Sequence, residues 1–172
     1  MIDQTLWIER KFNFDFPDGM FPVILERLCG AVPRIKELIS GLNDEQLSAK
    51  KNDKWSIKEV IGHLYDLENL HDGRIDDFTE GKEILRAADM KNVKTTEANY
   101  NSEPVEEIII LFNESRNKFI ERLENASAEL LIKSALHPRL QKQMRLIDMA
   151  FFVCEHDDYE ITKMRAIKKS LQ

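Results

Sequence analysis

One stretch constrains the fold more than any other: Leu146 to Met164, reading LIDMAFFVCEHDDYEITKM. Apolar residues recur through it at helical spacing, and Leu146, Met149, Val153, His156, Glu160, Met164 and Ile167 fall on one stripe. An imidazole and a carboxylate therefore occupy slots where packing alone favours Leu or Val. Four residues apart on a helix is about 40° around the axis and about 6 Å along it, close enough for both groups to reach one metal ion. A third ligand has to come from elsewhere in the chain.

The rest of the chain carries the same periodicity. Its 172 residues suit one domain over 1–172, and charged residues alternate with Leu, Ile, Val and Met at helical rather than strand spacing, with only 6 Gly and 5 Pro. This predicts an all-α fold. A net charge of −6 argues against nucleic acid as a partner, since no Lys/Arg stripe dominates a face. Lys163, Arg165, Lys168 and Lys169 read as cations at a helix C-terminus. Cys29 and Cys154 lie in apolar helical contexts without CxxC spacing, which predicts buried thiols. MIDQTLWIERKF has charges where a signal peptide needs an apolar core, and no run approaches a membrane span; the expectation is a cytoplasmic protein with no membrane partner.

In chain order, residues 1–17 form an arm in which Phe12, Phe14 and Phe16 alternate with polar residues, the period of an extended segment. A first helix is expected over 20–42, kinked by Gly30 and Pro33, followed by a short turn at 43–47. The second has the clearest start: Ser56 and Glu59 make a capping box, and Trp55 and Val60 occupy the two positions of a hydrophobic staple. It runs to about Thr79, with Val60, His63, Leu64, Leu67, Leu70, Arg74 and Phe78 along its core side. A long polar connection from Gly81 to Ser102, with a helical turn at 83–88, reads as a crossover or a lid. The third helix extends to Leu123; Glu106, Glu107, Glu114, Arg116 and Lys118 read as its solvated face. Residues 125–143 form a second connection with one short helix at 127–132 and His137 on a loop before Pro138.

His63 supplies the missing ligand candidate. Two core-facing histidines on two long helices, one with a carboxylate a turn later, match the way bundle interiors build metal sites. His63, His156 and Glu160 offer two imidazoles and one carboxylate, leaving positions for water and substrate. His71 lies about 12 Å further along the helix than His63, too far to share that ion. There is no GxSxG elbow and no glycine-rich phosphate loop.

Several stretches together resemble the DinB-like superfamily of metalloenzymes: WSIKEVIGHL from Trp55 to Leu64, His-Pro-Arg-Leu and Met-Arg-Leu-Ile-Asp within 137–148, and FFVCEHDD from Phe151 to Asp158. IERKF from Ile8 and FPDGMFP from Phe16 are similar to the same branch. The resemblance implies a four-helix bundle with an up-down-down-up course, the long connection between helices 2 and 3 being the crossover. It also implies a divalent metal (Zn, Ni, Mn or Fe) held by three histidines. His63 and His156 match two of these positions; Glu160 stands at the third. A carboxylate there still binds such ions and makes a bound water less acidic than an all-histidine site does. It equally suits a site that has lost its metal, with Glu160 paired to Lys or Arg. Relatives with known activities include thiol transferases and a maleylpyruvate isomerase. The expected function is a metal-dependent hydrolase or thiol S-transferase acting on a small molecule; a homodimer through an exposed helical face suits this and the competing expectation alike. The competing expectation is a non-catalytic, metal-free, stress-linked bundle.

Overall fold

The computed structural model describes residues 4–51 and 54–171. Helix α1 (Phe21–Cys29) and helix α2 (Ala31–Ile39) stand in place of the single kinked helix expected over 20–42. Pro33 explains the break: in the first turn of a new helix its missing N–H costs nothing, whereas within one continuous helix it removes a bond. The break leaves Cys29 exposed, contrary to expectation, while Cys154 is buried. A short α3 (Asp44–Ser48) follows, opened by an Asn43/Gln46 capping box.

Helix α4 (Ile57–Glu80) starts where its capping box requires. Ser56 Oγ accepts from Glu59 N at 3.1 Å, and Glu59 Oε2 accepts from Ser56 N at 2.9 Å. It ends at Gly81, whose φ of 74° suits a residue without Cβ. The following connection contains α5 (Val93–Glu97) and a 3-10 turn, Tyr100–Ser102. The turn expected at 83–88 is instead extended: Leu136 N donates to Glu83 O at 2.8 Å and Leu85 N to Leu136 O at 3.0 Å.

Helix α6 (Val105–Glu124) and the short α7 (Ala128–Ile132) precede an antiparallel hairpin of β1 (Ser134–His137) and β2 (Lys142–Arg145). That hairpin corrects the all-α expectation and puts His137 at a strand end rather than on a loop. Helix α8 (Leu146–Ser170) closes the chain. No helix among the described residues is long and apolar enough to cross a membrane.

The paired α1–α2, α4, α6 and α8 make a helical bundle. Arg116 of α6 meets Glu68 of α4, and Arg122 a turn and a half later meets Asp72 and Asp76, so contacts climb these helices in step. Ile24 accepts from Cys154 and Leu38 from Lys168, so α1–α2 and α8 also run in step. The arm lays Phe12 into the core, with Phe14 and Phe16 half-buried and Lys11, Asn13 and Asp15 exposed, as its alternation predicts.

The core is divided. One apolar cluster holds Ile57, Val60, Ile61 and Leu64 of α4, Phe112 of α6, and Ile161 and Met164 of α8. The other holds Ile75 and Phe78 of α4, Phe119 and Leu123 of α6, and α8 up to Cys154. Between them three of the bundle's helices contribute buried polar side chains: His63, Glu68, His71 and Arg74 from α4, Arg116 from α6, and His156, Asp157 and Glu160 from α8. A polar belt thus crosses the bundle at mid-height.

Candidate metal centre

The belt brings together all three residues named from sequence. His63, His156 and Glu160 are buried, and each offers a ligand atom within 4.8 Å of the others. The rings of His63 and His156 meet edge to face at 5.4 Å, and His156 Nε2 lies 3.7 Å from Glu160 Oε1. The capping box fixes where α4 begins and hence the turn on which His63 sits; four-residue spacing on α8 stacks Glu160 above His156.

The surroundings of His63 set its tautomer. Thr95 Oγ1 donates its one hydrogen to Asp66 Oδ2 at 2.8 Å, so towards His63 Nδ1, 3.4 Å away, it can only accept. The ring proton is therefore on Nδ1, and Nε2 keeps a free lone pair. Asp66 also accepts from Tyr100 Oη at 2.7 Å. Gly62 makes room for this contact, since a Cβ there would come 2.2 Å from the Tyr100 ring.

Burial, then Lys163, pushes His63 down to about 4, with Asp66 opposing. His156 is pushed well below the usual histidine range by burial, then by His63 and Lys163. Burial raises Glu160 while Lys163 opposes it. Both imidazoles are thus neutral at pH 7 and available as donors to a metal.

Lys163 is the residue that periodicity misplaced. It is no tail cation: its Nζ lies 2.7 Å from Glu160 Oε2, above Trp55 at 5.3 Å and Tyr159 at 5.5 Å. Trp7 of the arm packs edge-on against His156 at 4.8 Å, and Trp55 packs against His63 at the same distance. Neither tryptophan, nor Thr95, stood out in sequence as part of the site. Only Trp55 had a local signal, as the staple residue ahead of α4.

The donor set fits a divalent ion. Two neutral imidazoles and a carboxylate converge, and His156 Nδ1 is buried with no hydrogen-bond partner, while Glu160 Oε2 is held by Lys163 alone. Donors around a tetrahedral zinc-sized ion sit about 3.5 Å apart, so these side chains have to draw in; Glu160 has Oε1 on the side of His156 and Oε2 on Lys163.

The other acidic and histidine candidates go elsewhere. Glu155 pairs with Arg10 and Arg27, and Asp158 with Arg27 and Arg34. Arg116, expected on a solvated face, is buried and grips both Glu68 and Asp157. His71 is buried in the belt with Nδ1 unpartnered, and His137 accepts at Nδ1 from Leu140 N at 3.2 Å.

A helical bundle with a His/His/Glu cluster in a mid-height polar belt belongs to a class of proteins that can carry a metal in the bundle core. The model of the DinB superfamily matches residues 31–159, and the chain belongs to that superfamily. Glu160 is the next residue after the matched segment. In fold the chain is similar to YfiT from Bacillus subtilis, described as "a probable metal-dependent hydrolase with an unusual four-helix bundle topology". The TM-score is 0.80 at 15% identity, over 95% of this chain and 94% of that one. No curated protein matches the chain.

Proposed function

We propose that this protein is a divalent-metal-dependent enzyme, a hydrolase or thiol S-transferase in type, with His63, His156 and Glu160 as ligands and a small molecule as substrate. The observation that carries the reading is the convergence of two neutral imidazoles and a carboxylate, with His156 Nδ1 left unpartnered. Membership of the DinB superfamily and the fold shared with YfiT support it. Bound there, Zn, Ni, Mn or Fe supplies Lewis acidity that makes a nearby water or thiol a better nucleophile. The chain's own part is to hold His63 through Thr95 and Asp66, to keep bulk water out with Trp7, Trp55 and Tyr159, and to orient Glu160 through Lys163.

The up-down-down-up course belongs to the same proposal. The matched registers of α4 with α6 and of α1–α2 with α8 support it, with Trp55 near Lys163 and His63 near His156 setting α4 against α8. A cytoplasmic homodimer is part of it as well, for which the exposed Ile110 and Leu111 of α6 offer a surface.

A second reading, the metal-free structural bundle, is favoured by the Lys163–Glu160 ion pair. Metal analysis of protein purified without chelator separates the two. We expect one divalent ion per chain in the wild type and none in His156→Ala; equal metal content in both would remove these ligands from consideration.

A further inference from the structure

Arg139 is a half-buried arginine that the bundle leaves unused. It has five N–H donors, yet among the described residues it makes no hydrogen bond or ion pair, and its Nη2 is sealed from solvent with no partner. A buried guanidinium nitrogen without an acceptor is costly, so its natural partner lies outside the chain. Burial alone lowers its pKa, with no carboxylate to offset the effect. Every other arginine buried nearby is provided for. Arg116 holds two carboxylates, and Arg74 gives Nε and Nη2 to Arg86 O at 3.2 and 3.0 Å.

Arg139 lines a cleft of about 530 Å³ together with Arg10, Lys11 and Lys142, and no acidic residue lines it. In a chain of net charge −6, three cations of the cleft, Lys11, Arg139 and Lys142, have no carboxylate partner among the described residues and make a local positive field. Arg10 is held by Glu155, and Lys142 donates to Phe12 O at 2.7 Å. The rim is apolar: Ile8 and Met90 are 64% and 55% exposed.

The cleft adjoins the metal centre. The Arg139 guanidinium stacks 5.7 Å from the centroid of Trp7 and equally far from Phe152. Trp7 packs on His156, and Phe152 lies one helical turn before it. One aromatic ring therefore separates Arg139 from the triad.

We propose that this cleft is the anion-recognition subsite of the enzyme, in which Arg139 binds the carboxylate or phosphate of a small-molecule substrate whose apolar body rests on Ile8 and Met90. The assignment to a substrate rests on the metal-enzyme reading, whereas the anion site itself does not. A guanidinium fork matches either oxyanion in bidentate fashion, and the aromatic faces below it hold the fork flat.

Calorimetric titration of the full-length protein with benzoate, phenyl phosphate and benzamide tests this. We expect at least one of the two anions to bind at a single site, and benzamide, which has the same ring without the charge, to bind at least about tenfold more weakly. Whichever anion binds more tightly identifies the oxyanion. Arg139→Gln should weaken the anion about tenfold and Arg139→Lys less, with melting curves verifying that both variants fold. His156→Ala should lose the metal and leave anion binding intact; metal content equal to wild type, with anion binding intact, overturns the metal reading alone. Equal binding of benzoate and benzamide, no binding by either anion in the millimolar range, or unchanged affinity in folded Arg139→Gln overturns the subsite.

Discussion

Two buried polar clusters lie side by side in the belt and differ in one respect. Around Arg116 the hydrogen-bonding capacity is met: Nε and Nη2 reach Glu68, while Nη1 and Nη2 reach Asp157. Around His63, His156 and Glu160 it is not, and a lysine approaches from one side only. Burial exacts a similar desolvation cost in both places, so a cluster left short of partners is either a defect or a site waiting for one. On the proposed reading the saturated cluster belongs to the fold and the unsaturated one to function.

The largest effect should come from breaking the saturated side. Burial opposes the charge of Arg116, but Asp157 and Glu68 outweigh it and hold its pKa well above the usual value. Arg116→Met strands two buried carboxylates and should cost about 3–5 kcal/mol in urea unfolding. The triple change with Glu68→Gln and Asp157→Asn removes all the charge together and should recover most of that loss. A single variant as stable as wild type would show that the cluster does not hold the bundle together.

Acid should come next, and it acts through the histidines. His63 titrates near 4 in the fold, below its unfolded value of 6.5, because burial disfavours its cation. Between those values the unfolded chain binds a proton that the fold does not. Its contribution is therefore complete above pH 6.5 and is lost as pH falls towards 4, at about 1.4 kcal/mol per pH unit. His71 and His156 are shifted in the same direction. Glu68 and Glu160, both raised by burial, act oppositely, gaining stability as pH falls from their raised folded values towards the unfolded 4.5; three histidines against two carboxyls leave a net loss on acidification. Urea midpoints should hold level down to about pH 6.5 and drop below it; a flat profile to pH 4 would mean that these histidines are not buried neutral.

How much of this contrast could be read from sequence depends on where each signal resides. His156 and Glu160 are visible because a strong apolar stripe surrounds them, and His63 because a capping box fixes the phase of its helix. Arg116 occupies the stripe of Phe112, Phe119 and Leu123, so its spacing pointed inward; its charge, shared with neighbouring Glu114 and Lys118, masked that. The hairpin had no local signal: its strands are four residues each, and the residue with positive φ in its turn is Gln141 at 51°, not Gly or Asn. Trp7 and Thr95 join the site by tertiary contacts across 149 and 32 residues, which periodicity cannot register.

Chelation tests the unsaturated side directly. An ion present at a hundredfold its dissociation constant stabilises the fold by about 2.7 kcal/mol. For a chain of this size its removal should lower the melting point by roughly 5–10 °C. The Arg116 cluster has no place for an ion, so Arg116→Met should leave the shift on chelation intact wherever the variant folds. A melting point indifferent to chelator, in protein that carries no metal, would favour the Lys163–Glu160 pair as the resting partner of the site.

The smallest effect, and the one that separates fold from function most cleanly, is expected at Thr95. Valine has the same shape and lacks only the hydroxyl that accepts from His63 and donates to Asp66. Asp66 keeps Tyr100 and Lys94, so the fold should lose only about 1 kcal/mol. His63 loses the contact that fixes its proton on Nδ1, and partners of this kind are worth on the order of tenfold in metal affinity. Thr95→Val should therefore weaken metal binding about tenfold with little change in the chelated melting point, and Thr95→Ser should restore it. If valine binds metal as tightly as threonine, His63 is oriented by packing against Trp55 alone, and the Thr95–Asp66 chain serves only to fasten the connection between α4 and α6 to the bundle.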